Sequence, residues 1–172
     1  DWKGGFGKQV LGETWVNHHG KHKKEGTRGV IEEANKANPL LNGVSDVFGD
    51  TDVYGVSLPD DATILLRGAV TETLDPSSKP VDGKKNDPMM PVAWTRQYKN
   101  EAGKTNRIFT TTMGSASDFK SEDLRRLVVN AAFWALELDI PAKAKVDFVT
   151  PFEPTFYGFG SFKKGVRPSD LA

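Results

Sequence analysis

The sequence predicts a mixed α/β domain, and three observations carry that reading. Residues 62–70 form a mostly apolar run of strand length, as a strand covered on both faces should. Residues 91–98 and 107–113, rich in β-branched and aromatic side chains, flank the polar stretch 99–106, which is the pattern of an antiparallel hairpin. Residues 121–138 then carry apolar side chains at helical spacing, and a helix that follows a strand and a turn packs on a sheet.

The elements follow in order. Arg28–Glu33 and Asp52–Val56 are weaker strand candidates, and Ala62–Val70 is the clear one. After Pro91, alternation separates Val92, Trp94 and Tyr98 from Thr95, and the partner strand Arg107–Met113 ends at Gly114. Trp94 and Phe109 should therefore be largely buried. Ser121 is a good N-cap, and Glu122 and Asp123 complement the positive end of the helix dipole. Leu124, Leu127, Val128, Ala131, Trp134, Ala135 and Leu138 form the apolar stripe, and Pro141 stops the helix. Residues 141–172 hold four prolines and the aromatics Phe148, Phe152, Phe156, Tyr157, Phe159 and Phe162. Prolines forbid a long helix there. The tail is expected to pack over the domain of residues 1–140, with partner docking as the alternative.

Composition narrows the function. The 172 residues hold 23 basic and 23 acidic side chains, three histidines and no cysteine. Zero net charge speaks against a general nucleic-acid binder. Without cysteine there is no disulfide framework, thiolate metal site or cysteine nucleophile. No run of about 18 apolar residues is present to span a membrane. No signal-peptide pattern opens the text at Asp1. A removed leader, as in a secreted or periplasmic chain, or a preceding N-terminal part is expected. Charge is uneven locally: residues 1–30 carry six basic and three acidic side chains, and residues 31–66 carry one basic and seven acidic. Such blocks are ordinarily solvated faces.

All three histidines fall in Asn17-His18-His19-Gly20-Lys21-His22, between Glu13 and Glu25. Imidazole is the commonest neutral metal ligand. His18 and His22 with Glu13, or with Glu25 or a residue outside this stretch in its place, make a candidate divalent-metal site, zinc being the natural ion. Adjacent residues on an extended backbone point to opposite sides, so only one of His18 and His19 joins His22. A polar loop contacting substrate and an ordinary surface loop are the alternatives. Arg28 suits a carboxylate or hydroxylated ligand, or a salt bridge to the acidic 31–66 block. Ser115 and Asp118 lie after the last strand, where open α/β sheets gather ligands. A Ser/His/Asp hydrolase can be written from them and a loop histidine, against plain helix capping. Met113-Gly114-Ser115-Ala116-Ser117 lacks the second glycine of a nucleophile elbow. Gly4-Gly5-Phe6-Gly7 lacks the Gly-Lys-Ser/Thr ending of a phosphate loop. Trp94 and Trp134 read as core, while Trp2 and Trp15 are candidates to stack on a sugar ring.

Several segments resemble the ThuA-like (trehalose utilisation) family. They are Asn38-Pro39-Leu40-Leu41-Asn42-Gly43-Val44, Asp50-Thr51-Asp52-Val53-Tyr54, Pro91–Thr95 and Arg107–Met113, with Leu124, Arg125, Arg126, Leu127, Asn130 and Trp134 of the helix. The similarity spans about residues 10–140. It implies a flavodoxin-like, three-layer fold of the class I glutamine amidotransferase type. The opening parallel strands of that fold are not recognisable, so residues 1–140 read as its C-terminal part. It also implies a role in the metabolism of trehalose or a related disaccharide. With the candidate residues read above, the expected ligand is a small carbohydrate met by His18, His19, His22, Arg28, Ser115 and Asp118. A non-catalytic carbohydrate- or partner-binding module is the alternative. Many family members carry Gly-His where this chain reads Gly114-Ser115. Serine cannot replace imidazole as a base near neutral pH. Glutaminase activity is not expected, since that acyl transfer proceeds through a cysteine thiolate.

Overall fold

The computed structural model describes residues 2–156 and 164–171. Among the described residues five strands are formed: β1 (Thr27–Ile31), β2 (Val47–Gly49), β3 (Thr63–Val70), β4 (Met90–Lys99) and β5 (Thr105–Thr111). One α-helix of several turns follows, α1 (Glu122–Ala135). The sheet order is β2-β1-β3-β4-β5, and every pairing is antiparallel. The mixed α/β class holds, but these residues do not build the parallel, three-layer sheet that a flavodoxin-like fold requires. The reason lies in the connections. A parallel pair needs a long crossover, usually a helix, whereas β4 and β5 join through a tight turn closed by the Asn100 N–H to Lys104 carbonyl bond of 2.9 Å.

The hairpin expected at residues 91–113 is present, with Trp94 opposite Thr110 and Thr95 opposite Phe109. Trp94 is fully buried, while Phe109 is half-buried and packs against the core. In β3, Ile64 faces Trp94 and Leu66 faces Ala93, so Leu65 is an extra residue in the ladder. That bulge lets the successive residues Leu65 and Leu66 both be buried, which explains the continuous apolar run.

Two further sequence expectations are corrected. The segment Asp52–Val56 is not a strand; the strand lies earlier, at Val47–Gly49. Thr51 is pulled away from the sheet by Asp118, which accepts its N–H at 3.2 Å and its hydroxyl at 2.7 Å. The helix also ends before Leu138. Glu137 takes the left-handed conformation, φ 61°. The Leu138 N–H reaches Phe133 O at 2.9 Å, and the Glu137 N–H reaches Trp134 O at 3.2 Å, which is the Schellman closure. Leu138 is thereby left exposed.

Ser121 caps α1, its hydroxyl accepting from the Leu124 N–H. Leu124, Leu127 and Ala131 bury against Leu40, Leu41, Val44 and Val47. Asn130, fully buried, donates to the carbonyls of Leu40 (2.9 Å) and Asn42 (3.0 Å) and so locks the 38–44 loop to the helix. Beyond α1 the chain runs back along it. Arg126 Nε donates to Ala144 O at 3.1 Å, Arg125 Nε donates to Val146 O at 2.9 Å, and the Arg125 guanidinium lies 3.9 Å from the Phe148 ring centre. Phe148, Phe152 and Phe156 stay exposed; Tyr157, Phe159 and Phe162 lie outside the described residues. Among the described residues no helix is long and apolar enough to cross a membrane.

Candidate functional site

The histidine loop is built against residues 52–55. The N–H groups of His19 and Gly20 both donate to Val53 O, at 2.8 and 2.9 Å, and the Gly55 N–H donates to Asn17 O at 3.0 Å. His18 thereby forms a bridge with Tyr54. Gly20 is needed for this approach, since a Cβ there would stand 3.2 Å from Asp52 Cβ and 3.3 Å from Val53 N.

The consequence is a clamp. His18 Nδ1 lies 2.7 Å from one oxygen of Asp52, and His22 Nδ1 lies 2.8 Å from the other. The two ring centres are 4.7 Å apart. Asp52 is buried. An ionised carboxylate only accepts, so each Nδ1 carries the shared proton in this arrangement. Trp15 and Tyr54 meet His18 edge-on, at 5.5 and 5.7 Å between ring centres. Burial pushes the Tyr54 phenol above its ordinary pKa, and the negative charges of Asp52 and Asp118 add to the effect. The phenol therefore stays a hydrogen-bond donor. Trp15, His18, His22 and Tyr54 line a cavity of about 650 Å³, with Thr51, Thr111 and Ser115.

The other sequence candidates fall elsewhere. His19 turns away, its Nε2 lying 2.8 Å from Lys85 O. Glu13 does not join His18 and His22. It binds Lys8 through both oxygens at 2.9 Å and accepts the N–H groups of Thr14 and Ser57 at 3.0 Å. Burial opposes its ionisation, but the Lys8 and backbone bonds outweigh that and hold its pKa below 4.5. Glu25 is likewise held low: burial works against it, and the Lys85 ammonium and the Lys21 N–H overcome it. Arg28 pairs with Asp46 and Pro76 O and lies 5.4 Å from the Phe48 ring centre, so it serves the acidic block and not the cavity.

Ser115 reaches the cavity wall, but Asp118 is committed to the backbone. Its buried carboxylate accepts from Gly114 N (2.9 Å), Ser115 N (3.1 Å) and Thr51. It clamps the turn after β5 to the 50–52 loop and meets none of the histidines. A Ser115–His–Asp118 triad is therefore not assembled. Beside it, Asp50 accepts the Ser117 hydroxyl at 2.6 Å. Burial raises the Asp50 pKa above 3.8 despite that bond, and the Asp118 charge raises it further.

Asp52 is the residue that reading the sequence missed. It stands 30 positions beyond His22, and no periodicity links the two. The signal lay in Asp50-Thr51-Asp52-Val53-Tyr54, whose third residue is, among the described residues, the acidic side chain that bonds both imidazoles.

Comparison with curated proteins and with solved structures gave no significant match. The family model for trehalose utilisation, ThuA, matches residues 1–135. That stretch takes in the histidine loop, the Asp52 segment, all five strands and the whole of α1. With more than three quarters of its length matched, and with the clamp inside the matched part, the chain belongs to the ThuA trehalose-utilisation family, within the class I glutamine amidotransferase-like clan.

Proposed function

We propose that the cleft at His18, His22 and Asp52 takes a small carbohydrate, a disaccharide of the trehalose type, in the sugar-utilisation role that the family name describes. The observation that carries this reading is the pairing of a polar clamp with an aromatic rim. One buried carboxylate holds two imidazoles at hydrogen-bond distance, and the exposed indole of Trp15 and the ring of Tyr54 meet His18 edge-on. Sugars present both a C–H face and a ring of hydroxyls. An aromatic platform with a few fixed polar groups answers both, and a cavity of about 650 Å³ is of the size that such ligands fill.

Within the cleft, Tyr54 donates from its phenol and Ser115 offers a hydroxyl, while Trp15 stacks. Asp52 fixes the orientation of His18, as a carboxylate beside a histidine does in acid–base sites. Calorimetry with trehalose, sucrose and maltose tests the reading. Binding is expected for the wild-type chain and a loss of at least about 10-fold for Trp15→Ala, in line with the worth of a stacking contact. Equal heats for both proteins would contradict it.

A binding module without chemistry is the second reading, favoured by Gly114-Ser115, where the family resemblance implies Gly-His in many members and serine cannot act as the base. Chromatography of the sugar after prolonged incubation separates the two. A changed sugar supports an enzyme, and an unchanged one supports the module.

A further inference from the structure

We infer that His18, His22 and Asp52 form a site for one divalent transition-metal ion of the zinc class, with its remaining coordination position open toward the cleft. One donor atom from each of the three residues lies within 4.8 Å of the others. Both Nδ1 atoms converge on the same carboxylate, and the protons they share with it would leave to solvent as the cation takes their place. Two imidazole nitrogens and one carboxylate oxygen suit zinc, manganese or iron far better than calcium or magnesium. Three protein ligands with one open position is the arrangement of reactive rather than structural zinc sites.

Charge gives the second argument. The Asp52 side chain is only 1% exposed, and among the described residues its ion-pair partners are the two imidazoles, with no lysine or arginine beside it. A buried carboxylate without a permanent cation is costly. A divalent ion supplies that charge.

The carboxylate is rigidly held while one imidazole is less enclosed. Asp52 is held between Thr51, clamped to Asp118, and Val53, whose carbonyl takes two N–H bonds from the histidine loop. The separations of 2.7 and 2.8 Å are hydrogen-bond distances. Ligands around a tetrahedral zinc at about 2.0–2.2 Å stand roughly 3.4 Å apart. The His18 side chain is 38% exposed against 24% for His22, so His18 is the ligand less held by packing and the one to shift.

The site shares the carbohydrate cleft but does not depend on a sugar being its ligand. The test uses the full chain stripped with chelator, then titrated with zinc, manganese and calcium salts by calorimetry, with metal content read by mass spectrometry. One equivalent of zinc or manganese, little calcium, and binding at least about 10-fold weaker in Asp52→Asn and His18→Ala are expected. His19→Ala should bind as the wild type does, because its ring faces Lys85. If Asp52→Asn fails to fold, the half-exposed His18→Ala still decides. Absence of stoichiometric metal overturns the inference. So does equal weakening by His19→Ala, which would mark an adventitious histidine-rich loop. Sugar calorimetry in chelator, run in parallel, keeps the two proposals apart: sugar binding without metal binding sinks this one alone.

Discussion

Trp94, in the middle of β4, donates its indole N–H to the backbone carbonyl of Leu11 at 2.8 Å. The bond spans 83 positions and fastens the N-terminal segment to the face of the sheet opposite α1. Thr110, the cross-strand partner of Trp94, donates its hydroxyl to the same carbonyl at 3.3 Å. That segment leads directly into Trp15 and His18, so this anchor sets where the cleft wall begins.

Trp94→Phe keeps most of the apolar bulk and removes the donor. A loss of about 1–3 kcal/mol is expected, the cost of a buried polar group deprived of a partner plus part of the ring volume. Urea unfolding checks it. An unchanged midpoint would mean that the Thr110 bond suffices.

Asn130 plays the corresponding part on the other face. Its amide hydrogens hold the carbonyls of Leu40 and Asn42 inside the core. Asn130→Ala leaves both carbonyls without that donor and opens a small void. A drop of about 2–3 kcal/mol follows, read as a shift in denaturant midpoint with an unaltered slope.

Glu137 closes α1 with φ 61°, a conformation that costs an L-residue about 1 kcal/mol and glycine almost nothing. Its only compensation among the described residues is an exposed ion pair with Arg107 at 3.2 Å, a weak contribution at the surface. Glu137→Gly should therefore raise the melting temperature, as scanning calorimetry would show.

Acid should weaken the fold. Burial opposes ionisation of Asp123, but the N–H groups of Asp46 and Ser45, the Ser45 hydroxyl and then Arg126 outweigh it and hold its pKa below 3.8. Glu13 and Glu25 sit below 4.5. For all three the unfolded chain binds protons first. Their stabilisation is complete above about pH 4.5 and is lost as the pH falls through their lowered values. Asp50 has the opposite sign: its raised pKa favours the protonated fold, and its contribution fades as the pH rises from 3.8 through that value. Melting temperatures from pH 3 to 7 should fall on the acid side, and Asp50→Asn should stabilise more at pH 7 than at pH 3.

The hairpin and α1 were legible in the sequence because their signals are local: alternation in β4, the Ser121 cap, the 3–4 spacing of Leu124, Leu127 and Ala131. The antiparallel direction of the whole sheet was not, since strand order is set by contacts between segments far apart in sequence. Leu138 was misplaced because Pro141 looked like the stop, while a left-handed Glu137 ended the helix first. At the cleft, the histidine cluster was visible and its carboxylate was not. Spacing offered Glu13 and Glu25 as the nearest acids, yet each had a lysine of its own, Lys8 and Lys85. Asp52 became a partner only through the pairing of residues 17–20 with 53–55, a tertiary relationship that no window of sequence contains.

The central claim is that the His18–Asp52–His22 clamp faces a ligand, and chemical-shift mapping during a trehalose titration tests it most directly. The account predicts saturable shifts of the Trp15 indole and the His18 and His22 rings, abolished in Asp52→Asn, with the ring of His19 unmoved. Shifts confined to the separate pocket around Asp50, Lys120 and Lys143, or none at saturating sugar, would contradict it.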